Sequence, residues 1–204
     1  MQFQKTIILF FYEDLGVFNK KMIIRHDIDF SLEKALEIAQ LEYNMGVKST
    51  YFVLISYPFY NLYSDANSVI IKSILGYGHK IGLHFDETNY SIKNQKDFIK
   101  YAMKELRILS NTTCGNVNYI SMHRPSKQTL SSNYVLPNKI INTYSSKFFT
   151  EIKYLSDSRM KWKTDPIDTI SSGDYDKIQL LTHPILYNDQ KLDTKTILNN
   201  FYQS

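Results

Sequence analysis

Five short apolar runs recur along the chain with helical patterns between them: Met22–Ile28, Lys48–Ile55, Lys80–His84, Val117–His123 and Ile178–Thr182. Two weaker runs, Lys139–Tyr144 and Ile152–Leu155, bring the strands to about seven. Ser31 is placed to cap a helix whose Leu32, Leu36, Ala39 and Tyr43 fall on one face and whose stop is Gly46. Asn67–Leu75, ended by Gly76 and Gly78, reads as a second helix. Asn94–Leu109 reads as a third, with Phe98, Leu106, Leu109 and either Tyr101 or Ala102 on its inner stripe, and Thr194–Tyr202 as a closing one. Strands that alternate with helices are parallel and joined by crossovers, so the pattern predicts an α/β sheet or barrel. Tyr57–Asn67 and Ser126–Lys139 have no clear period and read as long surface loops, the kind that often bind ligands.

A chain of 204 residues fills one compact domain and is short for two. We find no internal repeat, low-complexity tract or linker, so residues 1–204 read as one domain. The charge is 24 basic against 20 acidic residues, with no dense Lys/Arg block interleaved with aromatics, which argues against nucleic acid. Cys114 is the single cysteine, so an internal disulfide is excluded, and its neighbours Thr112, Thr113, Gly115 and Asn116 suggest a loop thiol. The apolar stretch Thr6–Tyr12 is cut off by Glu13 and Asp14. It is too short for a signal-peptide core or for the roughly 20 residues of a membrane span. The expectation is a cytoplasmic protein without stable membrane insertion; the oligomeric state is left open.

The polar residues carry more. Of the five histidines, His26, His84, His123 and His183 lie at or near the C-terminal end of a predicted strand, and Asp157 closes another run. In parallel α/β folds the ligand site lies outside those ends, where the loops converge. His79 instead starts its strand and reads as structural. Residues two apart on a strand share a face, so Asp27 and Asp29 point the same way, and His26 points the other way, toward the helices. Two carboxylates this close repel unless a cation sits between or beside them. A metal with Asp and His ligands would resolve the repulsion and acidify a bound water, with the spare Asp as base. The competing reading caps the following helix with one Asp and pairs the other with Arg25.

The order of these motifs resembles the polysaccharide deacetylase family (carbohydrate esterase family 4). Within it the chain is most similar to the branch with an HDxD first motif, found in bacterial surface-polysaccharide gene clusters. RHDID at 25–29 resembles the first motif, GHKIGLHFD at 78–86 the second, HRPS at 123–126 the third, DSRMKW at 157–162 the fourth and LLTHP at 180–184 the fifth. The resemblance runs from about Ile23 to Leu186. It implies a distorted (β/α) barrel of about seven parallel strands, TIM-barrel-like, and metal-dependent hydrolysis of an amide on an amino sugar. It further implies Asp27 as general base, Asp29 and His84 as metal ligands, and His183 as general acid. Arg124 or Asp157 would orient Asp27 or His183, and Trp162 and Arg159 would line the substrate pocket.

One position departs from the pattern. The second family motif supplies another histidine four residues after the first, and that position here is Thr88. Two protein ligands hold zinc poorly, since catalytic sites have three. Either His123 supplies the third, or Asp86 or Glu87 does, or the metal is weak or absent. His123 is the choice, because it ends a neighbouring strand at the same rim. The expected cofactor is one divalent metal, Zn2+ foremost. The expected substrate is a small-molecule or lipid-linked amino sugar, a nucleotide- or lipid-linked precursor carrying an acetyl or formyl group. The rival readings are a degenerate sugar-binding barrel and an amidohydrolase acting outside carbohydrates.

Overall fold

The computed structural model describes residues 8–9, 11–12 and 21–203. Glu13 and Asp14, which end the N-terminal apolar run, lie outside the described residues. Eight parallel strands form one sheet: β1 (Ile8–Leu9), β2 (Lys21–Ile28), β3 (Thr50–Val53), β4 (Lys80–Asp86), β5 (Tyr119–His123), β6 (Ile141–Asn142), β7 (Lys153–Ser156) and β8 (Lys177–Thr182). Their order is β6-β5-β4-β3-β2-β8-β7, with β1 added beside β2. Chain order is therefore kept around the sheet, as in a (β/α) barrel, and among the described residues the curl stays open between β6 and β7.

Helices α1 (Leu32–Asn44), α2 (Asp65–Gly76) and α3 (Gln95–Thr113) cover the outer face. Each starts at a side chain that satisfies a free backbone N–H: Ser31 accepts from Lys34, Ser64 from Asn67 and Asn94 from Asp97. Four shorter helices follow: α4 (Lys127–Ser132), α5 (Lys147–Thr150), α6 (Pro166–Ser172) and α7 (Thr194–Gln203). Helix α4 occupies part of the segment expected to be loop, and α3 runs past its predicted end to Thr113, whose side chain is buried. Cys114, exposed, then stops α3 in the left-handed conformation. The inner face of α1 also differs from expectation. Leu32, Ala35, Ala39 and Glu42 are buried while Tyr43 is half exposed, because Glu42 finds polar partners beneath the helix.

The sheet is built in layers by the two-residue period of its strands. On β2, His26 and Ile28 face the helices, while Ile23, Arg25 and Asp27 face inward. Ile23 packs at the bottom of the barrel with Tyr12, Phe52, Tyr119 and Phe148. Phe52 fits there because β4 presents Gly82, where a Cβ would overlap its ring. Arg25 forms the middle layer, fully buried between the rings of Phe52 and Tyr144 at 5.3 and 5.1 Å. Asp27 forms the layer above. The outer core lies between sheet and helices and includes Val53, Ile74, Leu83, Phe98 and Leu106. Among the described residues, no helix is long and apolar enough to cross a membrane.

Candidate active site

The C-terminal strand ends surround a cavity of about 650 Å3 lined by Asp27, Asp29, His84, His123, Arg159 and His183, among others. Three donors converge in it. His84 Nε2 lies 3.2 Å from Asp29 Oδ1, His123 Nδ1 lies 3.4 Å from the same oxygen, and the two nitrogens are 3.2 Å apart. Zinc held by bonds of about 2.0–2.1 Å in a tetrahedron spaces its ligands roughly 3.3 Å apart. The triangle has that size, so the residues present fit a divalent metal of the zinc kind. Asp29 Oδ1 and His123 Nε2 are buried without a hydrogen-bond partner. Burial works to raise the Asp29 pKa, but the His123 and His84 imidazoles beside it, with His183, outweigh burial and hold the carboxyl well below the usual range.

The supports come from different strands. His84 Nδ1 meets Ser121 Oγ at 2.6 Å, which orients the ring and leaves Nε2 for the cavity. The edge of the Tyr57 ring packs against His123, the centroids 5.3 Å apart. Asp27 is fixed from below: Arg25 Nη2 donates to its Oδ2 at 2.6 Å, while Arg25 Nη1 donates to Thr143 Oγ1 at 3.0 Å. The other oxygen, Asp27 Oδ1, is buried and free of hydrogen bonds. Burial disfavours this carboxylate, and the charges of Arg25, His84 and His183 overcome that and lower its pKa. His183 Nδ1 meets Asp157 Oδ1 at 2.6 Å, its backbone N–H donates to Asp157 Oδ2 at 2.9 Å, and its Nε2 is 3.9 Å from Asp29 Oδ2. Burial opposes a charged imidazole here, but Asp157, Asp27 and Asp29 together raise the His183 pKa above its ordinary value.

Some expected residues lie elsewhere. Arg124 touches neither Asp27 nor His183 within ion-pair distance; its Nη2 donates to Asp86 Oδ2 at 2.8 Å and its side chain is mostly exposed at the cavity mouth. The guanidinium beside Asp27 is that of Arg25, which lies two residues earlier on the same strand face. Asp157 is placed on His183, as one of the two expected options. Asp86 is occupied by Arg124 and Thr88, and Glu87 by the Ser126 backbone and Thr129, so neither joins the donor triangle. Arg159 lines the cavity, but Trp162 lines a separate cleft of about 160 Å3 with Tyr154, Ser156 and Lys163. Arg159 and Met160, which precede Trp162, are both left-handed, at φ 61° and 55°, and Trp162 is half-buried in its own cleft.

On the other side of β2, His26 bridges Thr182 Oγ1 at 2.6 Å and Glu42 Oε1 at 2.9 Å. Tyr51 donates to Glu42 Oε2 at 2.7 Å, Ser49 donates to the same oxygen, and His79 closes the cluster against the Ala39 carbonyl at 2.9 Å. His26 and His79 thus serve the packing of α1 on the sheet rather than the cavity.

No family model matches the sequence, and no curated protein does. Solved structures match in fold. The Xyl-CE4 domain of a multidomain xylanase from the hindgut metagenome of Trinervitermes trinervoides superposes with a TM-score of 0.53 at 14% identity, over 91% of this chain and 82% of that one. A family 4 carbohydrate esterase from Bacillus anthracis gives 0.52 at 14% identity, over 91% and 77%. A mutant of a CE4 family pseudoenzyme with restored enzymatic activity gives 0.51 at 13% identity, over 91% of this chain and 63% of that one. This chain therefore spans less than two thirds of the pseudoenzyme's length. At such identities the likeness is one of fold, a curled half-barrel of parallel strands with helices outside.

Proposed function

We propose that this protein is a metal-dependent hydrolase of the carbohydrate esterase family 4 type, removing an N-acyl group, acetyl or formyl, from an amino sugar. The observation that carries the reading is the convergence of Asp29, His84 and His123 on one point, with a free carboxylate oxygen of Asp27 and the imidazole of His183 beside it. The motif order and the folds of the structural neighbours support it. Asp29, His84 and His123 would hold the metal. Bound there, a divalent ion would supply Lewis-acid polarisation of the acyl carbonyl and a water acidified to near neutral pH.

The chain's own groups do the proton work. Asp27 accepts the water proton at Oδ1, since Oδ2 is engaged by Arg25. Arg25 keeps that carboxylate ionised and aimed, at the cost of lower basicity. His183, protonated and held by Asp157 at Nδ1, delivers a proton from Nε2 to the departing amine. The substrate we favour is a nucleotide- or lipid-linked precursor in surface-polysaccharide biosynthesis, handled in the cytoplasm before export.

Purified protein should contain about one equivalent of zinc or a similar divalent ion, and the loaded protein should release free amine from N-acyl amino sugars. A preparation that takes up no metal and releases no amine, yet binds sugar, would instead identify a degenerate sugar-binding barrel. Release from simple amides and not from sugars would place the activity outside carbohydrates.

A further inference from the structure

The pairing of β2 with β8 ends at the rung that joins His26 to Thr182. The next residues are Asp27 on β2 and His183 after β8, so both proton-transfer groups lie just past the last shared rung. On the outer side of that rung sits the buried cluster of His26, Glu42, Ser49, Tyr51 and His79, which takes no part in the proton transfers. We propose that His26 is a positioning residue: by tying Thr182 to Glu42 it fixes the end of β8 against β2, and with it the placement of the acid His183 relative to the base Asp27. The inference rests on the deacylase reading.

The imidazole is held on every side. Its Nε2 faces Glu42 Oε1 at 2.9 Å, its Nδ1 faces Thr182 Oγ1 at 2.6 Å, and its plane stacks on the Tyr51 ring with centroids 4.5 Å apart. Glu42 is itself anchored. Tyr51 and Ser49 donate to its second oxygen, and Ser49 also meets His79, whose Nε2 lies 2.9 Å from the Ala39 carbonyl. Burial works to raise the Glu42 pKa, but His26, Ser49 and Tyr51 together outweigh it and bring it to about 2. An ionised carboxylate accepts only, so His26 Nε2 carries the proton of that bond. Thr182 is thus held by a chain of contacts that starts on α1 and ends one residue before the general acid.

Packing alone does not ask for this network. Its polar groups must be desolvated, and apolar residues of similar volume would seat α1 on the sheet without that cost. What apolar contacts lack is direction: a hydrogen bond fixes where one atom sits. Direction matters one residue later, since a misplacement of about 1 Å at a reacting group costs up to ~100-fold in rate. Strand β8 lies between β7 and β2 in the sheet, and His183 is restrained from both neighbours. Asp157, after β7, takes its Nδ1 at 2.6 Å and its backbone N–H at 2.9 Å. His26 supplies the second restraint through Thr182, from the strand that carries the base.

Thr182→Val keeps the branched shape and removes the hydroxyl, whereas Thr182→Ser keeps the hydroxyl. Amine release from N-acetylglucosamine by the zinc-loaded proteins, expressed per folded molecule from urea unfolding, separates position from stability. The valine variant should show kcat about ten-fold below wild type with KM and zinc content unchanged, and the serine variant should stay within about two-fold of wild type. A valine variant with a lower urea midpoint and wild-type kcat overturns the proposal while the deacylase reading stands. So does a serine variant that loses as much kcat as the valine one. If the wild type releases no amine, the deacylase reading fails for this substrate, and hydrogen exchange at the His183 amide decides the restraint separately. That amide should exchange about ten-fold faster in Thr182→Val than in wild type and Thr182→Ser, with amides lower on β2 and β8 unchanged. Equal exchange in all three proteins overturns the restraint.

Discussion

Arg25→Met tests the inner construction of the site most directly. The Arg25 guanidinium and the Asp27 carboxylate are both buried, 2.6 Å apart, in the interior of the barrel. Removing one partner of a buried pair leaves the other charge uncompensated, at a cost of about 3–5 kcal/mol. Against a total stability of roughly 5–15 kcal/mol, that is a large fraction. Asp27→Asn should cost a similar amount for the mirror-image reason, because Arg25 then lacks its counter-ion under the rings of Phe52 and Tyr144. The double variant, neutral at both positions and similar in volume, should return close to wild type. Urea unfolding of the four metal-free proteins at pH 7 closes the cycle, with an expected coupling of about 3 kcal/mol. Additive single effects, within about 0.5 kcal/mol, would refute the pairing.

The pair also has a pH signature with a definite sign. Asp27 has its folded-state pKa lowered, so the unfolded chain takes up a proton first as pH falls. The contribution is therefore fully present above the ordinary carboxylate value of 3.8 and is lost as pH drops through the lower folded value. Wild-type stability should exceed that of both single variants near neutrality and fall toward that of Asp27→Asn in acid, a loss the double variant lacks.

Four further outcomes are expected. Asp27→Asn should abolish turnover and retain metal, whereas Asp29→Asn should lose both; metal analysis beside an amine-release assay reads the difference. His123→Ala should lower metal content, and chelation should destabilise the wild type by about 2.7 kcal/mol relative to protein with free zinc at a hundred times its Kd, with little effect on the variant. Asp157→Asn should reduce kcat by about 10²–10⁴ with KM little changed, because a mispositioned His183 protonates the leaving group poorly. Glu105, buried on α3 against the Tyr90 hydroxyl at 2.5 Å, has its pKa raised by desolvation to about 7 from an ordinary 4.5. It binds a proton more tightly folded than unfolded, so stability should fall as pH rises from 4.5 to 7. Glu105→Gln should remove that slope, with a gain of up to about 3 kcal/mol at pH 8 in thermal or urea unfolding.

What could be read from sequence follows from how far apart the interacting residues lie. Parallel strands, their order of appearance and the rim position of His84, His123 and His183 are local or periodic signals, and the structure places them as expected. The common face of Asp27 and Asp29 follows from a period of two. Helices α4, α5 and α6 are short and bury few residues, so they leave no apolar stripe to detect. Glu42 breaks the stripe of α1 because its partners Ser49 and Tyr51 lie beyond the helix, on the way into β3 and within it. Arg25 was visible as a charge next to HDID, but its burial depends on Phe52, Thr143 and Tyr144, which reach it from other parts of the barrel. Motif order favoured Arg124 for the same task, and the layering of the interior decides against it. Arg124 leaves β5 at the rim, in a left-handed turn with φ 51°, where Asp86 on the neighbouring strand end is the carboxylate it reaches. Arg25 lies one layer below Asp27 on the same strand face, where both side chains are buried. A motif lists which residue types a site uses; which arginine serves which carboxylate is set by depth, and depth is a property of the curled sheet.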